Sequence, residues 1–346
     1  MVSALTRQRL ALYLRIVAMS AAIGAIYGLR VAGMHSPLLS TAIGIANSVL
    51  IAGSIAAIEM FGLRSGPARR LTQLPFALLL LLKTLAYGGV AAAVLALGPG
   101  ERLFGTVPGY TLPEFLRTVG FSLSMTFLFV VVFQVAGLVG YRTFLDLLRG
   151  RYRRPRAERR FFLFVDVVGS TALAERLGPL EAHRFLATVF SALAEPVAAC
   201  AGEIYQYVGD EIVVTWTAED GARGARPLRC YFAMLEALAA RGTEFRARFG
   251  VEPGLRAALH LGEVIAGEVG VTRRSIVFHG DVMNTAARLE QATREVGCRF
   301  IASEAALAAL GPVPGAQLRD LGALALRGRS EPVHAFGVER LAGDPA

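Results

Sequence analysis

The sequence is poor in cysteine, nearly free of lysine, and short of acidic residues in its first half. Cys200, Cys230 and Cys298 stand far apart in a chain of 346 residues, with no CxxC and no paired spacing. They build neither a disulfide framework nor a zinc site, and they suit a reducing compartment. The five histidines show no metal-ligand spacing either. His260 reads as a strand residue and His279 as a turn residue, both expected to be hydrogen-bonded and structural. The single lysine is Lys83, so arginine carries the rest of the positive charge. Residues 1–160 hold 18 basic and 5 acidic side chains, a balance of +13, whereas residues 161–346 hold 18 basic and 22 acidic, a balance of −4. An acidic C-terminal half lacks the electrostatic footprint of a nucleic-acid binder, and no such partner is expected.

Apolar surface is abundant. Hydrophobic residues make up 54% of the chain, with the excess in the first 140 residues. Four stretches, about residues 12–29, 38–61, 75–97 and 118–141, approach or exceed the roughly 20 residues a helix needs to cross about 30 Å of hydrocarbon. Arg15, Glu59 and Lys83 are their few charges. Lys83 lies inside the third stretch and either snorkels to an interface or faces the bundle. The first stretch is too long for a signal peptide and lacks a clear small-residue cleavage site. Arg7 and Arg9 precede span one; Arg64, Arg69 and Arg70 separate spans two and three; eight arginines fall between Arg142 and Arg160. The alternate loops hold only Arg30, and Arg102 with Arg117. The positive-inside rule then places both termini in the cytoplasm of a multi-pass inner (plasma) membrane protein, in agreement with an even number of crossings. No span shows the broken helix of a transporter site. Residues 1–141 are expected to form this lipid-embedded domain, whose few polar groups suit an apolar or lipid ligand, if any.

Residues 142–159 read as a basic linker. Phe144, Leu147 and Leu148 share one face of a short helix that Pro155 should end. Two roles stay open: a solvated tether against anionic lipid, or a coupling helix that pairs with its twin in a dimer.

From Arg160 the pattern changes. "RFFLFVDVVGSTALAERLG" reads as a buried strand, 161–167, followed by a turn at Gly169, Ser170 and Thr171 that opens a helix. Backbone amides at such a turn can receive phosphate oxygens. Asp166 lies inside the strand, where a carboxylate is costly unless a cation or hydrogen bonds offset its desolvation. A helix over 180–201 and a strand over 203–208 lead to "YQYVGDEIVVTW", a hairpin turning at Gly209-Asp210. A strand over 212–216, a long helix to about Phe249 and a strand over 255–261, continued by "GEVIAGEVG", complete a β-α-β-β-α-β order. That order implies an antiparallel-rich, ferredoxin-like sheet with helices on one face. It can set Asp166 beside Asp210, and their repulsion suits divalent cations. Oxygen-only ligands favour Mg2+ or Mn2+, and two such ions can hold a triphosphate and activate a hydroxyl. Glu211 follows in an alternating strand and is expected on the opposite face, in a structural role. In "FHGDVMNTAARLEQATREVG", Asn284 and Arg288 are i and i+4 on a helix, and together they suit a developing negative charge at phosphorus.

The motifs "FVDVVGST", "YQYVGDEIVV", "LHLGEVIAGEVG", "HGDVMNTAARLE" and "LRGRSEPVHAFGV", in this order over about residues 160–340, resemble the class III nucleotidyl cyclase catalytic domain. The resemblance implies a membrane-bound adenylate cyclase that converts ATP to 3′,5′-cyclic AMP and pyrophosphate in signal transduction. It implies Asp166 and Asp210 as metal ligands for two Mg2+ or Mn2+ ions, with the backbone carbonyl of Val167 as a further oxygen. Asn284 would orient the ribose, Arg288 would stabilise the transition state, and Arg329 or Arg327 would bind the triphosphate, Arg329 being preferred. The site would form twice in a head-to-tail homodimer, each built from both chains. At the base-reading positions, where adenine-selective members usually carry Lys and Asp or Thr, this chain has Gln206 and Val277. Gln206 can read either purine. The guanine-selecting Glu and Cys are absent too, and ATP, the more abundant nucleotide, is favoured; GTP or dual use, and a catalytically silent nucleotide-binding receptor module, remain alternatives. A diguanylate cyclase is disfavoured, because Val208 occupies the first place of that family's double glycine. Residues 341–346 are read as a tail.

Overall fold

A computed structural model of the chain describes residues 4–30, 36–62, 74–98, 102–103, 111–272, 274–313, 315–329 and 331–341. Arg64, Arg69 and Arg70 of the orientation argument, and most of the tail, lie outside these residues. The chain divides into two units, Met1–Phe144 and Leu145–Ala346.

The first unit contains α1 (Ala4–Arg30), α2 (Pro37–Ala57) with a π-helical turn at Ile58–Gly62, α3 (Phe76–Leu97) and α4 (Leu112–Val139). The segments Leu10–Arg30, Pro37–Met60, Phe76–Leu97 and Leu112–Val139 are each long and apolar enough to cross a membrane. The fourth starts ahead of the expected residue 118 because a cap, not apolarity, sets a helix start. There the Thr111 N–H and hydroxyl donate to Glu114 Oε2 at 2.9 and 2.7 Å. Helices α1 and α2 meet through small residues. A Cβ on Gly24 would lie 2.4 Å from the Gly44 carbonyl oxygen, and one on Gly44 would lie 2.3 Å from that of Gly24. Such residues let two backbones approach closely, the packing mode common between long apolar helices. Lys83 is buried and faces the bundle rather than snorkelling. It forms an ion pair with Glu59 of the π turn, and the Tyr87 hydroxyl donates to the other Glu59 oxygen at 2.5 Å. Opposite charge and a hydroxyl offset the desolvation that a lone ammonium would suffer there. The short helix α5 (Tyr141–Leu148) ends well before Pro155, and Gly150 at φ 62 turns the chain away from it.

The second unit runs β1 (Arg156–Val167), α6 (Ser170–Leu177), α7 (Pro179–Ala199), β2 (Glu203–Val208), β3 (Glu211–Thr217), α8 (Ala218–Ala222), α9 (Arg226–Ala240), α10 (Gly242–Phe249), β4 (Leu255–Val269), β5 (Ser275–His279), α11 (Asp281–Glu295), β6 (Phe300–Ser303), α12 (Glu304–Leu310), β7 (Ala316–Leu324) and β8 (Val333–Arg340). The sheet order is β2-β3-β1-β4-β6-β8-β7, with β5 paired to β4. Its β2-β3-β1-β4 part is antiparallel throughout and forms the ferredoxin-like core. Strand β6 then joins β4 in parallel.

Alternation along β1 divides the core. Phe161, Leu163 and Val165 pack with Val189 and Leu193 of α7 and Leu228 and Met234 of α9. Phe162 and Phe164 pack on the other face with Val282 and Ala286 of α11. Helices therefore cover both faces rather than one, because α11 carries an apolar stripe of its own. The expected long helix after β3 is three pieces, broken first where Gly224 and Ala225 adopt φ 64 and φ 50. Strand β1 also begins earlier, within the basic linker. Arg160 is buried there, donating to Thr215 Oγ1 at 3.1 Å and pairing with Glu158 at 3.0 Å and Glu203 at 2.7 Å. His260 of β4 is buried with Nδ1 2.7 Å from Ser303 Oγ, while His279 is exposed at the end of β5. Burial first, then the Arg329 charge, pushes the His260 pKa down to about 4.

Gly44→Leu should open the α1–α2 contact and cost about 1–3 kcal/mol through overpacking, read as a lower unfolding midpoint in detergent. For His260 the folded state prefers the neutral ring, so the unfolded state binds more protons between pH 6.5 and about 4. The stability it contributes is present above pH 6.5 and lost as pH falls through that window, by at most about 3 kcal/mol. Thermal melts of His260→Gln across pH 4.5–7 should be flatter than those of the parent.

Candidate active site

Antiparallel pairing assembles one group of side chains at the end of β1. Asp166, next to last in the strand, lies opposite Glu211 of β3 and Arg256 of β4. Asp210 belongs to the two-residue turn between β2 and β3, where Gly209 has φ 61 and so occupies the left-handed region open to glycine. The turn is tied back to its neighbours. The Val167 N–H donates to the Asp210 carbonyl at 3.3 Å, and the Ser170 hydroxyl donates to Asp210 Oδ2. Two carboxylates are thereby brought together from separate β-elements.

Asp166 is buried, with 6% of its side chain exposed. Burial and then the neighbouring Asp210 carboxylate raise its pKa, against the pull of Arg294 and Arg256. Its Oδ2 accepts from Arg256 at 3.2 Å and from Arg294 of α11 at 3.1 Å. Glu211 is not on the far side as expected. Directly opposed residues of an antiparallel pair put their side chains on one face, so Glu211 shares the face of Asp166. Burial pushes its pKa up to about 7, aided by the charges of Glu290, Asp166 and Asp210. Glu290 of α11 is buried as well and its pKa is raised, by burial and then by Asp166. The sequence reading missed Glu290 and Arg294. The available signal was the spacing Val282, Ala286, Glu290, which carries the apolar stripe of α11 onto a carboxylate.

The other expected residues fall into separate places. Asn284 is exposed and Arg288 half-buried, one turn apart on α11. Arg329 donates to Thr285 Oγ1 at 2.6 Å and pairs with Asp281 at 3.0 Å, so it is held at the start of that helix; Arg327 is exposed. Gly169, at φ 73, precedes α6, and no side chain caps that helix. The Ser170 hydroxyl is committed to Asp210, Thr171 is exposed, and Val167 is the buried last residue of β1. Gln206 is exposed on β2 and Val277 half-buried on β5, with β3, β1 and β4 between their strands. Within one chain the fold joins Asp166 to Asp210 and Asn284 to Arg288, and it brings the strands of Gln206 and Val277 together at their neighbours, the Tyr205 and Phe278 rings lying 5.0 Å apart.

The donor set suits a hard divalent cation. Two adjacent carboxylates, one of them strained by burial and repulsion, offer oxygen only. Among the described residues no group of three or more His, Cys, Asp or Glu side chains is arranged to hold a metal. Mg2+ fits such a sparse site, since it commonly binds one or two carboxylates and completes its shell with water and substrate phosphate.

Comparison with known proteins identifies the family. Residues 155–337 match the adenylate and guanylate cyclase catalytic domain family. "Adenylate cyclase 2" of Rhizobium meliloti (strain 1021) is 37% identical over 260 residues, covering 75% of this chain and 71% of that protein. "Adenylate cyclase 1" of the same organism is 30% identical over 51% of this chain and 27% of its own length. Among solved structures, a bacterial light-regulated adenylyl cyclase superposes with a TM-score of 0.52 at 19% identity, over 62% of this chain and 64% of that one, a likeness of fold. Over residues 155–337, this chain belongs to the family of adenylate and guanylate cyclase catalytic domains.

Proposed function

We propose that this protein is a membrane-bound adenylate cyclase that forms 3′,5′-cyclic AMP and pyrophosphate from ATP at the interface of a homodimer. The observation that carries the reading is the buried Asp166 beside Asp210, two carboxylates that need a cation. ATP is favoured over GTP because two bacterial relatives are named adenylate cyclases and because Gln206 and Val277 are not the guanine-reading pair. In the membrane reading, residues 1–141 anchor the enzyme in the plasma membrane with both termini cytoplasmic, residues 142–159 link the halves, and residues 160–340 catalyse.

The reaction is an in-line displacement. The ribose 3′-oxygen bonds to the α-phosphorus, the bond from that phosphorus to the pyrophosphate oxygen breaks, and the hydroxyl proton passes to water. Asp166, Asp210 and the Val167 carbonyl would hold two Mg2+ or Mn2+ ions, which when bound acidify the hydroxyl and neutralise the triphosphate. The amides of Gly169, Ser170 and Thr171, together with Arg329, receive the phosphate oxygens. Arg288 donates to the oxygens on which charge builds up, and Asn284 holds the ribose. Gln206 and Val277 contact the base. A head-to-tail dimer supplies each site with Asp166 and Asp210 from one protomer and with Asn284 and Arg288 from the other.

Purified full-length protein should release pyrophosphate and cyclic AMP from ATP with Mn2+ or Mg2+, and GTP should be the poorer substrate. Nucleotide binding without turnover would instead mark a silent receptor module. Arg288→Ala should lower kcat by about 100- to 1,000-fold, the usual loss for one donor to a developing anion. Asp166→Ala and Asn284→Ala, each inactive alone, should regain activity when co-expressed, because a mixed dimer rebuilds one complete site. No recovery in verified mixed dimers would remove the shared-site mechanism.

A further inference from the structure

The arginines on Asp166 differ in kind. Arg256 is its cross-strand partner, fixed on β4 with 20% of its side chain exposed. Arg294 reaches the same Oδ2 from the last turn of α11, with 56% of its side chain exposed, so only its tip is held. A divalent cation bound by Asp166 would meet the Arg294 charge beside the same carboxylate oxygen. One helical turn before Arg294, Glu290 is buried, and its Oε1 has no hydrogen-bond partner. A buried carboxylate oxygen without a donor is costly, and Glu at i with a basic residue at i+4 is the favourable order for an ion pair on a helix.

We propose that Arg294 is a placeholder for the divalent cation on Asp166, and that Glu290 is the acceptor to which it moves when the cation binds. The inference rests on the two-carboxylate metal reading above. Helix α11 has two ion pairs open to it. Without a cation, the repulsion between Asp166 and Asp210 holds Arg294 on Asp166. With a cation there, Arg294 is repelled and the orphaned Glu290 oxygen takes it, one turn back along its own helix. The exchange stays within the last two turns of α11, the helix that carries Asn284 and Arg288 near its other end, so metal loading is coupled to the helix bearing those residues. Arg294 and Glu290 are positioning residues; they need not touch substrate.

Mn2+ binding to the purified full-length protein without nucleotide, read from the paramagnetic signal of the free ion, tests this apart from activity. Arg294→Gln should tighten binding about tenfold and Glu290→Gln should weaken it about fivefold, effects of the size seen for coupled neighbours. In the Arg294→Gln background, Glu290→Gln should change the affinity by less than about twofold, because no guanidinium is left to accept. Equal weakening in both backgrounds would mean that each charge acts independently, and the exchange would be overturned. Failure of Arg294→Gln to tighten binding would overturn it as well. If Glu290→Gln does not fold, Glu290→Asp, which withdraws the carboxylate by one methylene, reads the same coupling. Asp166→Asn separates the two levels. Loss of Mn2+ binding with independent Arg294 and Glu290 effects removes the exchange alone, whereas unchanged binding removes the metal reading and the exchange with it.

Discussion

Two carboxylates held against each other at the end of β1 set the terms for the rest of the catalytic unit. Asp166 sits inside a strand buried on both faces, and Asp210 is fixed beside it by a turn that Val167 and Ser170 tie down. Burial and the Asp210 carboxylate both oppose the charge of Asp166, so the site needs positive partners. The chain provides Arg256 through strand pairing and Arg294 through α11. Glu211 and Glu290 lie close to the same pair, and burial first, then the neighbouring carboxylates, raises their pKa values. A face so loaded with carboxylates is poorly balanced alone and well suited to a hard divalent cation.

The helical unit handles charge by the opposite means. There Lys83 and Glu59 cancel each other inside the bundle, with Tyr87 completing the set, and nothing about the trio calls for a ligand. Where the catalytic unit concentrates like charge and stays responsive, the helical unit pairs unlike charge and becomes fixed. The glycine contacts of α1 and α2 act in the same direction, by bringing two backbones within van der Waals reach.

Much of this was legible in the order of residues. The four apolar stretches, the hairpin at Gly209-Asp210, the strand bearing Asp166 and the helix bearing Asn284 and Arg288 all announce themselves through local periodicity and turn chemistry. Element limits were less legible. The capping box at Thr111 moved a helix start, and pairing with β4 drew residues 156–159 of a supposed linker into β1. Glu211 was assigned the wrong side because alternation counts from a strand residue, and Asp210 belongs to the turn, where the count does not yet apply. Lys83 was ambiguous because a charge inside an apolar stretch has two outlets, and its partner lies 24 residues away on another helix.

Local order therefore sufficed for the apolar helices, the β-α-β-β-α-β succession and the family, since helices, strands and turns are written in neighbouring residues, whereas the strands from β6 to β8 carried no comparable signal. Which charges meet was a matter of folding. Arg294 and Asp166 are 128 positions apart, Arg256 and Asp166 are 90, and Ser170 and Asp210 are 40. Strand register and the packing of α11 across the sheet bring these groups within hydrogen-bonding reach, and no periodicity in a short window encodes a distance of that length.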